Sequence, residues 1–477
     1  MASSLNPTKV QSNVPAEALL VPSQATLSVS SPLAREMTKE KVAEGHDEEK
    51  SDEAGSYPLE WRYPDGGARA WLVVLGCFMF AATCMAYGLV WGVLQDYYHT
   101  YMFPGTSLSI LSLAGGVQNF LMNGTAYLSG GLGDRYGYKR LLILSSILAY
   151  LCLLASAFST KLYHIFLFQG IFLGFSHGLG MPLYMSLPSQ WFLEKRGVAT
   201  GIAVSGSGIG GGVSSLIVRK LLSTVGFRKT MLIYSSMHAV IWIIALCLLK
   251  ERVRPGQAEE KKQWLPERVD GRFYSVAISV FIGIFGYLGP FYFSTTYTKQ
   301  FVPSIGKDSI LAVIPLVVMN FSAGIGRVSA LLEFPADKRI ILAGRLADYF
   351  GPINIFFSSF FFGGLFQLLV WTFAKTYASI IVFSILNGLV GCWFLSLLPV
   401  VCAELFGIQG LSTITGFMVL ANSPGQMAGA PIAGAILSAS GGNWVAVTMY
   451  SGGITVLGAL CVLYARFSYE KRIWAFA

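Results

Sequence analysis

Charged residues are scarce in this chain. Only 12% of its 477 residues are Asp, Glu, Lys or Arg, whereas 54% are hydrophobic and the mean hydropathy is +0.58. An ordinary globular protein devotes about a quarter of its residues to these charged types. The composition therefore excludes a typical soluble domain and predicts that most of the surface faces lipid.

The chain also has little that could carry catalysis or hold a metal. It contains 5 histidines and 25 acidic residues, and they form no recognisable nucleophile triad, metal-spaced cluster or phosphate loop. Its 7 cysteines fall in predicted apolar spans without CxxC spacing, so neither a disulfide framework nor a metal site is indicated. The glycine run from Ser205 to Gly212 matches GxGxxG, but its apolar surroundings favour helix packing. We expect no enzyme activity and no cofactor.

Basic residues exceed acidic ones, giving a net charge of +9. They lie in short clusters between apolar segments, which is typical of membrane proteins and does not indicate nucleic-acid binding. The first 60 residues instead contain the acidic run EGHDEEKSDE and few apolar residues. We predict that they form a disordered cytosolic tail.

Twelve apolar segments follow, each long enough to cross roughly 30 Å of hydrocarbon as a helix. Their predicted limits, as spans one to twelve, are 70–94, 107–131, 139–159, 163–190, 197–222, 228–250, 272–297, 309–333, 353–374, 377–404, 411–438 and 444–467. The predicted fold is an all-α membrane protein with twelve transmembrane helices in two pseudo-symmetric six-helix halves. The predicted divisions are the tail 1–60, the N-terminal half 61–250, a cytosolic linker 251–271, the C-terminal half 272–468 and a short tail 469–477.

The loops that share a side with both termini carry most of the Lys and Arg residues. By the positive-inside rule, both termini are then cytosolic, in a protein that crosses the cell membrane many times. Four basic residues around the loop between spans five and six oppose the rule, namely Arg219, Lys220, Arg228 and Lys229. The sequence offers no reason for this exception.

One short motif occurs in each half, as GGLGDRYG after span two and as GRLADYFG after span eight. Each predicts a tight cytosolic loop whose acid complements the N-terminus of a helix in the other half. We call this pair of contacts the latch. It places Asp134 near Leu411 and Ser412, and Asp348 near Gly197. The motif residues are Gly130, Asp134, Arg135, Gly137, Gly344, Asp348 and Gly351.

The second copy of the motif lies farther from the start of its preceding span than the first copy does. The surplus is assigned to Val328–Ile340, with the sequence VSALLEFPADKRI. This segment is either a lineage-specific insertion or untranslated sequence kept by an erroneous gene model. In a folded chain it would extend span eight, break at Pro335 and weaken the second half of the latch.

Polar side chains inside apolar spans are the candidates for a substrate path, because each is costly in lipid without a partner or a water-filled cavity. Arg327 in span eight is the strongest candidate, and extension of its side chain to the interface is the alternative. Tyr287 and Tyr292 flank the helix-breaking Pro290, with ordinary aromatic packing as the alternative. The remaining candidates, for which interhelical hydrogen bonds are the alternative, are Gln118, Asn119, His177, Asn320, Asn387, Asn422 and Gln426.

The twelve spans, the repeated motif and the basic central connector resemble the major facilitator superfamily. DGGARAW, at the start of span one, is similar to the first signature of its monocarboxylate porters, with one extra residue before the Trp. WFLEKRGVATGIAVSGSGIGG, entering span five, resembles their second signature, and Tyr87–Tyr98 resembles the fungal branch. The signature residues are Asp65, Gly66, Gly67, Trp71, Lys195, Arg196 and Gly201.

The resemblance implies a monomeric secondary transporter of a small carboxylate-bearing solute, working by alternating access, with a proton as a candidate co-substrate. Animal lactate carriers use a span-one Lys and a span-eight Asp/Arg pair. Here Tyr87–Trp91 has no Lys, and Ala323 stands where that Asp is expected, four residues before Arg327. A larger or more aromatic acid is therefore expected. Export of an acidic secondary metabolite is the alternative, and a non-transporting nutrient sensor is a further one, disfavoured by the short C-terminal tail.

Overall fold

The computed structural model describes residues 63–192, 195–252, 269–306, 309–329, 351–406 and 411–471, without the side chains of Asp134 and residues 411–413. Within these ranges the regular secondary structure is entirely helical. Eight of the described helices are long and apolar enough to cross a membrane by length and composition. The expected all-α membrane fold is confirmed.

Six spans form the N-terminal half. Spans five and six share one helical run, Arg196–Leu248, which is interrupted at Gly226, where φ is 76° and ψ is 174°. Both parts pack on span one, because Gly206 lies against the Phe78 backbone and Trp242 Nε1 donates to Thr83 Oγ1 at 2.8 Å. The chain therefore reverses at Gly226. Spans one to four are Ala68–Met102, Leu108–Tyr136, Tyr138–Ser156 and Leu162–Gln190.

The other six spans form the C-terminal half. Span eight is short, Ile314–Ser329, and the residues that follow it up to 350 lie outside the described part of the chain. Spans seven, nine, ten, eleven and twelve are Gly271–Phe301, Pro352–Trp371, Tyr377–Phe406, Leu411–Ala421 with Ser423–Ala439, and Trp444–Tyr469. We call the end of the bundle where span one begins and span twelve ends the terminal face, and the opposite end the far face.

The first copy of the repeated motif is a helix end, which corrects the predicted loop. Span two stays helical through Tyr136, and only Gly137 breaks it, with φ 89° and ψ 142°. Gly351 precedes span nine with φ 90° and ψ 146°, so the two copies share one backbone turn. The earlier glycines of the motif do not break span two. Gly133, for example, packs closely against Leu183 of span four while remaining helical. Arg135 is exposed on the last turn.

The latch itself falls outside the described residues. The side chain of Asp134, the side chains of Leu411 and Ser412, and all of Gly344 and Asp348 belong to the part that is not described. The same holds for Val328–Ile340 beyond Ser329. The latch and the surplus segment stay predictions.

Small residues bring the two halves together along two seams. At the seam between spans five and eight, a Cβ on Gly208 would lie 2.7 Å from Gly324 Cα. At the seam between spans two and eleven, a Cβ on Gly434 would lie 2.7 Å from Ser109 N, and Ser109 Oγ donates to the Pro431 carbonyl at 2.7 Å. Close backbone approach is what glycine permits between helices in lipid. The interpretation of the glycine run as a packing surface is thus confirmed.

Candidate functional site

A cavity lies between the two halves. It starts at mid-depth beside Gly88 and reaches toward the terminal face, where Met185 and Leu398 line it. The cavity volume is about 90 Å³ in this state of the bundle. Its polar lining residues are Asn119, Asn123, Ser207, Tyr287, Arg327, Thr415, Asn422 and Gln426. Five of these were sequence candidates for the substrate path.

Arg327 supplies the positive charge of this cavity. Its side chain is 1% exposed, so it does not extend to the membrane surface. One guanidinium nitrogen donates to Ser207 Oγ across the seam, and Nη2 donates to the Tyr287 hydroxyl at 3.3 Å. The Nε group has no hydrogen-bond partner within the described ranges, and no carboxylate there pairs with Arg327. A buried cation in neutral surroundings favours an anionic ligand, because removal from water is costly without a counter-charge.

Amide side chains hold the polar wall in place. Asn119 Nδ2 donates to the Tyr292 hydroxyl at 3.0 Å, which joins span two to span seven across the halves. Gln426 Nε2 donates to Asn422 Oδ1 at 2.9 Å, one helical turn earlier on span eleven. These groups offer donors and acceptors at defined positions without adding charge.

The other sequence candidates do not line the cavity. Gln118 Nε2 lies 3.4 Å from His177 Nδ1 inside the N-terminal half. Asn320 Nδ2 lies 3.4 Å from the Leu89 carbonyl, and Asn387 Nδ2 lies 3.6 Å from Met319 Sδ. Tyr292 reaches the site only through Asn119. These contacts match the alternative of hydrogen bonds between helices.

A charged cluster at the far face was missed by sequence reasoning. Asp96 of span one is 3% exposed, and its Oδ2 lies 2.6 Å from Lys299 Nζ on span seven and 3.2 Å from Arg219 Nη1 on span five. We call these three residues the far-face cluster. It explains why Arg219 breaks the positive-inside pattern, and it joins the halves between the cavity and the far face.

Two errors in span limits hid this cluster. Span one was predicted to end at 94 and span seven at 297, whereas the helices reach Met102 and Phe301. Asp96 and Lys299 therefore lie inside spans. Besides Arg327, the described spans of the C-terminal half thus contain the basic residues Lys299 and Arg466. The one sequence signal for this cluster was Arg219, a basic residue on the side of the membrane where the positive-inside rule predicts few.

The family signature residues meet one another at the terminal face. The Asp65 amide donates to the Trp191 carbonyl at 3.1 Å, and the rings of Trp71 and Phe192 lie 4.9 Å apart. Gly67 has a φ of 84° just before span one, which favours glycine. Lys195 and Arg196 begin the helix of span five, and Gly201 is buried within it. These residues thus brace the start of spans one and five away from the cavity, whereas Val204 and Ser207, farther along the second signature, line it.

These features define a helical membrane protein with a polar cavity between two halves. In the described part of the chain, no group of three or more His, Cys, Asp or Glu residues could hold a metal ion. The sequence profile of the Major Facilitator Superfamily matches residues 72–336 and 340–477. The chain belongs to this superfamily of transporters.

Relatives and a solved structure agree with this assignment. The aspyridones efflux protein of Emericella nidulans is 29% identical over 410 residues, covering 84% of this chain and 80% of the relative. The agnestins efflux protein of Paecilomyces divaricatus is 29% identical over 398 residues, covering 83% and 87%. The structure of a mutant of the nucleoside transporter NupG covers 83% of this chain and 99% of its own, with a TM-score of 0.62 at 15% identity. That structure supports the fold alone.

Proposed function

We propose that this protein is a secondary transporter that exports an acidic organic compound. The observation that carries the proposal is Arg327, a buried cation at the cavity wall without a carboxylate partner among the described residues. The names of two relatives, which describe efflux of aspyridones and of agnestins, favour export over uptake. The bound group is a carboxylate or an equally acidic group, because the planar guanidinium suits such anions.

The state of the bundle supports transport by alternating access. The far-face cluster joins the halves, while the cavity extends toward the terminal face. With cytosolic termini, as the positive-inside rule predicts, this arrangement takes substrate from the cytosol. Rocking of the halves about the two glycine seams would then expose the same cavity at the far face. The cavity is complete within one chain, which supports a monomeric transporter.

The monocarboxylate-porter resemblance bears on whether a proton accompanies the substrate. Arg327 matches the Arg of that family, while Ala323 replaces its Asp. A proton that accompanies the substrate would need another acceptor. Asp96 is the buried acid of the described spans, and it is held by two cations. In this proposal, anion binding at Arg327 does not depend on a proton bound at Asp96.

Reconstituted vesicles test the proposal directly. The full chain is placed in liposomes, and transport of the fluorescent probe anthracene-9-carboxylate is followed with and without a pH gradient. The neutral carboxamide of the same ring system is the matched control. We expect protein-dependent transport of the acid and little transport of the amide. Equal transport of both, or of neither, would contradict the proposal that an acidic group is recognised.

The direction of transport is tested in cells that express the chain in their plasma membrane. Cells are loaded with the same acid as its membrane-permeant ester, which cellular esterases cleave. An exporter lowers the retained acid compared with cells carrying an empty vector. Greater accumulation from acid supplied outside, without faster loss from loaded cells, would favour uptake and contradict export.

A further inference from the structure

The two walls of the cavity differ in chemistry. The wall from the C-terminal half carries Arg327, Tyr287, Asn422 and Gln426. The wall from the N-terminal half has no charged residue and is rich in methionine. We call its four methionines the methionine wall; they are Met85 of span one, Met122 of span two, and Met181 and Met185 of span four.

Methionine gives such a wall particular properties. Its side chain is unbranched and flexible, so it adapts to ligands of different shape, and its sulfur makes favourable contacts with aromatic rings. Surfaces that bind many partners use methionine for this reason. The apolar residues opposite, such as Leu395 and Leu398, are branched and stiffer. The adaptable surface is thus confined to one side of the cavity.

We propose that the substrate is an amphipathic monoanion with a bulky, aromatic or polyunsaturated body. Its acidic head lies against Arg327, which Tyr287 positions, and its body lies on the methionine wall, which selects for polarisable bodies while tolerating their shape. This inference rests on the proposed function, because it takes the cavity as the substrate site. It adds the chemistry of the substrate's body to that of its acidic head. It also assigns specificity for the body to residues of the N-terminal half of the protein.

A different role for the methionines would be to fill space when the halves close. In that case leucine, which has a similar volume, should serve equally well for every substrate. A selective role predicts instead that leucine weakens binding of aromatic acids while leaving saturated acids unchanged. The two roles therefore differ in ligand discrimination and not in stability.

Binding is measured by equilibrium dialysis on the full chain in lipid nanodiscs, with protein-free nanodiscs as the background. The probes share a carboxylate and differ in body: acetate, octanoate, 1-naphthoate and anthracene-9-carboxylate. We expect affinity to rise from acetate to the anthracene acid and to exceed that of octanoate for both ring systems. Equal affinity across the series, or no binding by any probe, would overturn the inference.

The double variant Met85→Leu/Met181→Leu then tests the wall. We expect its affinity for anthracene-9-carboxylate to fall about fivefold, with octanoate unchanged, because two sulfur–ring contacts are lost. The matched control is Met237→Leu/Met449→Leu, which makes the same exchange outside the cavity lining. If the wall variant binds both acids as the control does, or loses both equally, the methionines do not determine specificity.

Failure of the proposed function can be distinguished from failure of the methionine-wall inference. If Arg327→Gln left binding of every acid unchanged, the anion site would be elsewhere, whatever the methionine variant did. If Arg327→Gln weakened all acids while the methionine variant discriminated among none, the anion site would stand and the methionine wall would be rejected.

Discussion

Asp96 and Lys299 connect the two halves of the transporter at the far face, with Oδ2 and Nζ 2.6 Å apart. The same oxygen lies 3.2 Å from Arg219, which belongs to the half that carries Asp96. One carboxylate thus serves an internal contact and a contact between halves. The geometry separates two roles that substitutions can distinguish.

Lys299→Gln removes the contact between halves and leaves Asp96 beside Arg219. We expect the far face to open more often, with a modest loss of stability. Arg219→Gln leaves Lys299 in place, so the far face should stay closed. Asp96→Asn removes the negative charge from both cations and should cost the most stability, about 3–5 kcal/mol, as for other broken buried pairs.

Spin labels at Tyr101 and Ile310 report this opening, because both residues are exposed at the far face on opposite halves. The accessible native cysteines are first replaced. Pulsed electron–electron distance measurements should show a longer distance population in Lys299→Gln and not in Arg219→Gln. Unchanged distances in Lys299→Gln would show that this ion pair does not keep the far face closed.

Tyr287→Phe removes the hydroxyl that accepts a hydrogen bond from Arg327 Nη2. Tyr287 acts on the anion by positioning the guanidinium, so the charge remains in the variant. We expect affinity for anthracene-9-carboxylate to fall about three- to tenfold, in line with about 1 kcal/mol for one hydrogen bond. The neutral anthracene carboxamide should bind to the variant as weakly as it binds to the unaltered chain. An equal loss for acid and amide would indicate a general packing defect instead of a positioning role.

Gly137→Ala and Gly351→Ala should destabilise the fold to a similar extent. Both glycines have φ near 90° and ψ near 145°, a region that L-residues rarely adopt. We expect each change to cost about 1–3 kcal/mol. Gly124→Ala is the matched control, since it lies inside span two with no atom within 4 Å of an added Cβ. Thermal unfolding in nanodiscs measures all three. A Gly137→Ala variant as stable as Gly124→Ala would contradict the strain, and unequal losses in Gly137→Ala and Gly351→Ala would contradict the equivalence of the two turns.

Hydropathy predicted the twelve spans because lipid requires long apolar helices. It did not predict which polar residues meet. Gln118 and Asn119 are adjacent on span two, yet Gln118 faces His177 inside its own half and Asn119 faces the cavity. Successive residues on a helix point about 100° apart, so a small rotation decides the outcome. Only tertiary packing sets that rotation.

The far-face cluster could not be predicted from hydropathy for a related reason. A hydropathy limit falls where charge begins, and Asp96 and Lys299 begin the charge at their span ends although both lie within helices. Their pairing across 203 residues has no local signal. The repeated motif shows the opposite error, since a glycine-rich stretch suggested a loop where span two stays helical through Tyr136. Glycine permits a helix in lipid when neighbours pack against it.

The central claim is that Arg327 binds the acidic head of the substrate, and exchange of this one residue in reconstituted vesicles tests it most directly. Arg327→Gln should lose most transport of anthracene-9-carboxylate, while Arg327→Lys should retain part of it, because a positive charge persists without the planar fork. Reconstituted amounts are matched, and thermal unfolding confirms that each variant is folded. Transport by folded Arg327→Gln at the rate of the unaltered chain would contradict the account.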